Sequence, residues 1–90
     1  MNFSGTTLKR HELKILPKYF LAIAHNYKTF EIRKNDRNFK VGDVLVLKEY
    51  DSETKTYTGK VQEVTVTFMT DFPEGLKEGY ICMSISKVTS

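Results

Sequence analysis

The stretch Lys28-Thr29-Phe30-Glu31-Ile32-Arg33 marks the point at which the apolar period of this chain changes from helical to extended. Upstream of it, apolar residues recur at spacings of four, three and four, which predicts one apolar stripe on a short helix. These residues are Leu16, Phe20, Ile23 and Tyr27. Pro17 suits the first turn of this helix, and Asn26, which tolerates a left-handed backbone, suits its end. Within the stretch the period is two, so its apolar side chains share one face of a strand and its charged side chains share the other.

The other segments have the residue types of strands, separated by turn-forming residues. Strands are predicted over residues 8–16, 44–50, 57–68 and 80–88, with connections at 34–38, 42–43, 51–56 and 70–78. Gly59 indicates a bulge or a bend. Strands this short do not form a stable open sheet, and curling into a barrel removes the exposed edges. The predicted fold is mainly β with one or two short helices (α+β), built as a small barrel of about five or six strands.

Size and composition limit the function classes. A chain of 90 residues with 40% apolar and 28% charged residues is expected to form one globular domain over 11–90, preceded by a partly flexible arm over 1–10. The net charge of +3 permits an anionic partner without requiring one. No apolar run is long enough to span a bilayer, and the basic-then-apolar start of a signal peptide is missing. We therefore expect a soluble cytoplasmic protein with no membrane partner; a monomer is compatible with the sequence, which does not fix the oligomeric state.

Three ionic side chains lie at the predicted junction between helix and strand. Glu31 and Arg33 are two residues apart, so they share a face of the strand, and Lys28 can reach them from the turn. As a surface ion pair, such a group would contribute only about 0–1 kcal/mol. Its position at the mouth of a barrel favours a site for a polar ligand instead.

Basic residues continue downstream of this junction. They are Arg33, Lys34, Arg37 and Lys40, opposed only by Asp36, and a second group contains Lys9, Arg10 and Lys14. Such a run can hold phosphates through charge and forked hydrogen bonds, or it can form a solvated loop. The rings of Tyr50 and Tyr57 can stack on a base near a basic mouth, or they can cover the end of the core.

Several kinds of site have no signal in the sequence. His11 and His25 are far apart, and no Cys or His has zinc-ligand spacing. The chain has no glycine-rich phosphate loop, nucleophile elbow or dinucleotide fingerprint. We therefore expect neither a metal nor another cofactor.

Four segments of the chain resemble the ASCH-related family of unknown function found in bacteria and phages. They are His11–Pro17, Lys28–Arg37, Val41-Gly42-Asp43 and Glu49-Tyr50-Asp51, and the similarity runs from about His11 to Ile85. The wider ASCH superfamily resembles the PUA domain, a small β-barrel with a cleft that is generally proposed to bind RNA or modified nucleosides. The resemblance therefore implies an ASCH/PUA-like barrel and a ligand of this class.

The superfamily pattern Gly-x-Lys-x-x-Glu-x-Arg corresponds to Asn26, Lys28, Glu31 and Arg33. Asn26 replaces the glycine, and both residue types tolerate a positive φ. Some ASCH proteins are amidohydrolases of N4-acetylcytidine, in which the lysine of a Lys-Thr pair acts with a threonine three residues later and a distant glutamate. Lys28 matches that lysine, but position 31 is Glu, and only a short loop containing Glu74 and Glu78 could supply the distant carboxylate.

These observations favour a binding module over an enzyme. The predicted ligand-binding residues are Lys28, Thr29, Glu31, Arg33, Lys34, Arg37, Lys40 and Tyr50. The predicted ligand is RNA or a nucleoside or nucleotide. One alternative is a small amidohydrolase of acylated nucleosides with Lys28 and Glu31 as catalytic groups. Another is a protein-interaction module, for example a phage protein directed at a host factor.

Overall fold

The computed structural model describes residues 8–88, which form a curled five-stranded sheet and one helix. Along the chain the elements are β1 (Arg10–Ile15), α1 (Pro17–Ala24), β2 (Phe30–Lys34), β3 (Val44–Asp51), β4 (Thr56–Thr70) and β5 (Tyr80–Lys87). The expected N-terminal arm falls largely on residues 1–7, outside the described residues, and its last residue, Arg10, already belongs to β1. No helix of the described part has the length and apolar character needed to cross a membrane.

The strand order is β1-β3-β4-β5-β2, so the two strands joined by α1 lie at opposite ends of the sheet. β1 pairs in parallel with β3, and the other neighbours are antiparallel. The sheet curls until the two end strands face each other, and side chains bridge them: Arg33 on β2 and Arg37 in the segment after β2 donate to carbonyls of β1. The mainly β, α+β class is confirmed. The expected closed barrel is not found: between residues 8 and 88 no backbone ladder joins β1 to β2, and long side chains lie where its hydrogen bonds would run.

The core fills the concave side of the sheet under α1. Every strand except β2 contributes apolar side chains to it; the members are Leu13, Ile15, Phe20, Ile23, Phe39, Leu45, Leu47, Val64, Val66, Ile81, Met83 and Ile85. From the predicted helical stripe only Phe20 and Ile23 are buried. Leu16 precedes the first turn and Tyr27 lies beyond the last one, so both are exposed, Tyr27 by 84%.

The exit from α1 positions the residues that follow. Asn26 has a φ of 62°, as its tolerance of the left-handed conformation predicted. The amides of Tyr27 and Lys28 both donate to the carbonyl of Ala22, at 2.8 and 3.0 Å. This compact turn leads the chain into β2 and leaves Lys28 two residues before the strand begins.

β4 is longer than expected and contains a bulge. It runs to Thr70, whereas the sequence placed its end at Phe68. Gly59 has a φ of 94°, and the pairing of β3 with β4 slips between Lys48 and Tyr50. The bulge indicated by this glycine is therefore confirmed.

Candidate ligand-binding cleft

A cleft of about 690 Å³ lies where the β1 and β2 ends of the sheet face each other. It is called the seam cleft below. Its lining residues are Leu13, Lys14, Ile15, Leu16, Tyr19, Lys28, Phe30, Glu31, Ile32, Arg33, Lys34, Asp36, Arg37, Phe39 and Tyr80. This volume falls within the range of sites for small organic ligands. The lining combines cationic, aromatic and aliphatic side chains, as expected for a ligand with both a charged and a planar part.

The structure brings the three ionic residues of the central stretch together in this cleft. Glu31 is 5% exposed, and its two carboxylate oxygens accept from different cations. Lys28 Nζ donates to Oε1 and, at 2.6 Å, to the carbonyl of Phe30. Arg33 Nε donates to Oε2 at 2.6 Å. A buried carboxylate is stable only when its charge is compensated in this way, so Glu31 holds both cations in fixed positions.

β2 therefore turns its ionic face inward. Glu31 is buried, whereas Phe30 and Ile32 are 42% and 48% exposed. An edge strand packed on a core usually has the reverse arrangement, with apolar side chains inside. The inversion is tolerated because the cations of Lys28 and Arg33 compensate the buried charge, and it gives the cleft a charged wall.

Two arginines connect the ends of the sheet. Arg33 Nη2 donates to the carbonyl of Lys14 at 2.7 Å, and Arg37 Nη1 donates to the carbonyl of Glu12 at 3.1 Å. Glu12 and Lys14 are two residues apart on β1, so their carbonyls leave the strand on the same side. The guanidinium groups satisfy acceptors that a sixth strand or a closed barrel would otherwise use.

The other predicted ligand-binding residues divide into two groups. Lys34 lines the cleft and makes no side-chain hydrogen bond within residues 8–88. Thr29, Lys40 and Tyr50 do not line it. The carbonyl of Thr29 accepts from Ile85 in the sheet, and Lys40 Nζ lies 3.4 Å from the Asn38 side chain.

The second basic group contributes only Lys14 to the cleft. Arg10 forms a bidentate pair with Glu63, with contacts of 3.1 and 2.6 Å. This hydrogen bond raises the pKa of Arg10 and lowers the pKa of Glu63, so the two charges neutralise each other. Lys9 does not line the cleft; its backbone amide donates to the side chain of Asp43.

A buried polar cluster around Asp43 was missed by the sequence reasoning. Asp43 is fully buried and accepts from His11 Nε2 at 2.8 Å and from the amides of Lys9 and Lys40 at 3.1 and 3.0 Å. Burial on its own would raise the pKa of Asp43, but these hydrogen bonds outweigh it and lower the pKa. The His11 ring also packs edge-on against Phe39, with 4.7 Å between ring centroids.

The cluster packs against the wall of the seam cleft, because Phe39 contacts His11 on one side and lines the cleft on the other. One signal in the sequence could have revealed it: alternation in β1 places His11 on the same face as the buried Leu13 and Ile15. The spacing of the histidines speaks against a metal ligand, and the structure shows His11 as a buried partner of Asp43. Residues 8–88 contain no group of side chains that could hold a metal ion.

Comparison with known proteins identifies the family of the chain. The domain of unknown function DUF3850 matches residues 10–85, which include the whole seam cleft. An uncharacterized 12.9 kDa protein in the GpA 3′ region of Escherichia phage P2 is 37% identical over 70 residues. That alignment covers 78% of this chain and 62% of the phage protein, so the chain spans less than two thirds of this relative. The match along most of the sheet shows that the chain belongs to the DUF3850 family.

Proposed function

We propose that this protein is an ASCH/PUA-like module that binds RNA or a nucleotide in the seam cleft. The observation that carries the proposal is the buried carboxylate of Glu31, which fixes the cations of Lys28 and Arg33 inside a cleft of nucleotide size. The superfamily pattern that these three residues match supports the same ligand class. RNA-binding sites of this kind combine cations for the phosphates with planar or apolar surfaces for the bases.

Cations along the cleft supply the phosphate-binding component. Lys14, Lys34 and Arg37 line it. Arg37 uses one terminal nitrogen for the Glu12 carbonyl, and a guanidinium carries five N–H groups, so several donors are left for a ligand. Arginine and lysine at such positions bind phosphate oxygens through charge-assisted hydrogen bonds.

Aromatic and aliphatic side chains supply a surface for a base. Tyr19, Phe30 and Ile32 all line the cleft and are partly exposed, so each offers apolar area that a ring can cover. Glu31 takes a positioning role in this site, since both of its oxygens are already occupied.

The geometry favours binding over hydrolysis. Lys28 Nζ donates to the carboxylate of Glu31 and to a backbone carbonyl, so it is held in place and not directed at a substrate. Neither Glu74 nor Glu78 lines the cleft; Glu78 borders a separate hollow. Besides Glu31, the carboxylate that lines the cleft is Asp36, eight residues after Lys28, so neither candidate for the distant glutamate of the amidohydrolase pattern reaches the cleft.

Titration of the protein with a labelled, mixed-sequence single-stranded RNA, followed by fluorescence anisotropy, tests the proposal. Binding is expected at low salt, and each phosphate contact contributes about −0.7 to the slope of log K against log salt. Lys34→Gln should weaken binding and reduce the magnitude of that slope by about one contact. Lys60→Gln is the matched control, because Lys60 is exposed and lies on β4 outside the cleft.

Two results would contradict the proposal. One is the absence of RNA and nucleotide binding by the wild-type protein at low salt. The other is an equal loss of affinity in Lys34→Gln and Lys60→Gln, which would show that net charge alone is responsible. Capture of one cellular protein that survives nuclease treatment would favour the protein-interaction alternative.

A further inference from the structure

We infer that the ligand is a single-stranded polynucleotide and not a free nucleoside, because a row of cations and tyrosines extends the binding surface out of the seam cleft. The row contains Lys14, Tyr50, Tyr57 and Lys48 and is called the aromatic row below. This inference rests on the proposed function and names the ligand class of the same site.

The aromatic row begins inside the cleft. Lys14 lines the cleft, and its Nζ lies 4.2 Å from the centroid of the Tyr50 ring. The Tyr50 ring meets the Tyr57 ring edge to face, with 5.0 Å between centroids and an angle of 71°. Lys48 Nζ lies 5.0 Å from the Tyr57 ring. One cation and two rings therefore lead from the rim of the cleft to a second cation on β3.

The strand register sets the order of the row. Lys14 on β1 is opposite Lys48 on β3, and Tyr50 on β3 is opposite Tyr57 on β4. Without the bulge, the antiparallel pairing that joins Lys48 to Val61 would place Gly59 opposite Tyr50. The observed slip places Tyr57 there instead. The bulge at Gly59 is thus the feature that builds a pair of tyrosines at this point of the sheet.

The exposure of the row distinguishes it from core packing. Tyr57 is 51% exposed, and neither tyrosine belongs to the buried cluster under α1. The only carboxylate that forms an ion pair with the lysines of the row is Glu12, 3.3 Å from Lys48, within residues 8–88. Lys14 and Tyr57 are exposed, whereas Tyr50 and Lys48 are half-buried. The exposed part of the row therefore offers one ring and one lysine that forms no ion pair within residues 8–88, in contrast to the nearby Arg10, which Glu63 neutralises.

Alternation of cations and rings matches the chemistry of a single strand. Phosphates and bases alternate along a polynucleotide, and aromatic side chains stack on any base while lysines attract the backbone. Successive bases in a stacked strand are about 3.4 Å apart, so a chain of a few nucleotides reaches from the cleft to the Tyr57 ring. A nucleotide that follows the one bound in the cleft is placed to stack on this ring.

A length series separates this inference from the proposed function. The affinities of a mononucleotide, a dinucleotide and a tetranucleotide are measured by calorimetry for the wild type, for Tyr57→Leu and for Tyr27→Leu. The affinity of the wild type should rise with the length of the ligand. Tyr57→Leu should bind the tetranucleotide about ten-fold more weakly than the wild type and the mononucleotide with unchanged affinity. Tyr27→Leu, which replaces an exposed tyrosine outside the row and the cleft, should behave as the wild type.

Each outcome of the series is decisive. Equal affinities for the three ligands, or a length dependence that Tyr57→Leu retains, would overturn the inference and leave the cleft as a nucleotide site. Absence of binding at every length would overturn both the inference and the proposed function. Thermal unfolding of each variant establishes that the substituted protein is folded.

Discussion

Replacement of Asp43 by asparagine should destabilise the protein although it changes only one atom. Asp43 Oδ1 accepts from the amide of Lys9, and Oδ2 accepts from His11 Nε2 and from the amide of Lys40. In Asp43→Asn one oxygen becomes an NH₂ group. In either orientation of that amide, at least one backbone N–H then faces a donor.

The structure indicates the size of this effect. Each bond to a charged acceptor contributes about 1.5–3 kcal/mol, and a buried donor left unpaired costs about 1–3 kcal/mol. Because asparagine keeps part of the network, we expect the free energy of unfolding to fall by about 2–4 kcal/mol. For a domain of this size, such a loss lowers Tm by at least about 10 °C.

Urea unfolding at several pH values measures the effect and its origin. The pKa of Asp43 is lowered in the folded state, so its carboxylate stabilises the fold above the ordinary Asp pKa of about 3.9. That contribution is lost as the pH falls through the lower folded-state pKa. The stability gap between wild type and Asp43→Asn should therefore narrow below about pH 4, since the variant has no such group to protonate.

Asp51→Asn is the matched control. Its acceptor oxygen Oδ1 receives both contacts, from the amides of Glu53 at 2.9 Å and Thr54 at 3.3 Å, and an asparagine oxygen can keep both. This control should change stability by less than about 0.5 kcal/mol. The reasoning is wrong if Asp43→Asn is as mild as the control, or if its stability gap is the same at pH 7 and pH 3.

Two further predictions concern the seam cleft. Glu31→Gln should lower the free energy of unfolding, measured in urea, by about 2–3 kcal/mol, because Lys28 and Arg33 lose a buried counter-ion. Glu12→Gln is the control: the ion pair of Glu12 with Lys48 is exposed, so the free energy of unfolding should change by less than about 0.5 kcal/mol. Equal losses in the two variants would refute the argument. When the protein is incubated with N4-acetylcytidine, we expect chromatography to detect no cytidine, because Lys28 Nζ is held by Glu31. Formation of cytidine by the wild type that is lost in Lys28→Ala would contradict this expectation.

Local patterns in the sequence predicted the local parts of the site. The change of period at residue 28, the left-handed exit at Asn26 and the two-residue spacing of Glu31 and Arg33 each depend on neighbours in the chain. The convergence of these side chains could therefore be anticipated. The apolar period misled at Tyr27, because the turn at Asn26 ends the helix before that residue.

Contacts between distant segments could not be anticipated. The bond from Arg33 to the Lys14 carbonyl joins residues 19 positions apart, and the bond from His11 to Asp43 joins residues 32 positions apart. Both depend on the strand order, which alternation alone does not give. Gly59 indicated a bulge, but the length of the slip, and with it the pairing of Tyr50 with Tyr57, follows only from the register of two complete strands.

The arginine contacts across the seam have a mechanical consequence. Between residues 8 and 88, β1 is held by side-chain hydrogen bonds from Arg33 on β2 and from Arg37 in the segment after β2, and no backbone ladder joins β1 to β2. Separating these strands breaks a few polar contacts that water or a ligand can replace, while the pairing of the other strands stays intact. The seam cleft can therefore widen for a larger ligand without loss of any backbone pairing between strands, and deformation of the domain is easiest on this side.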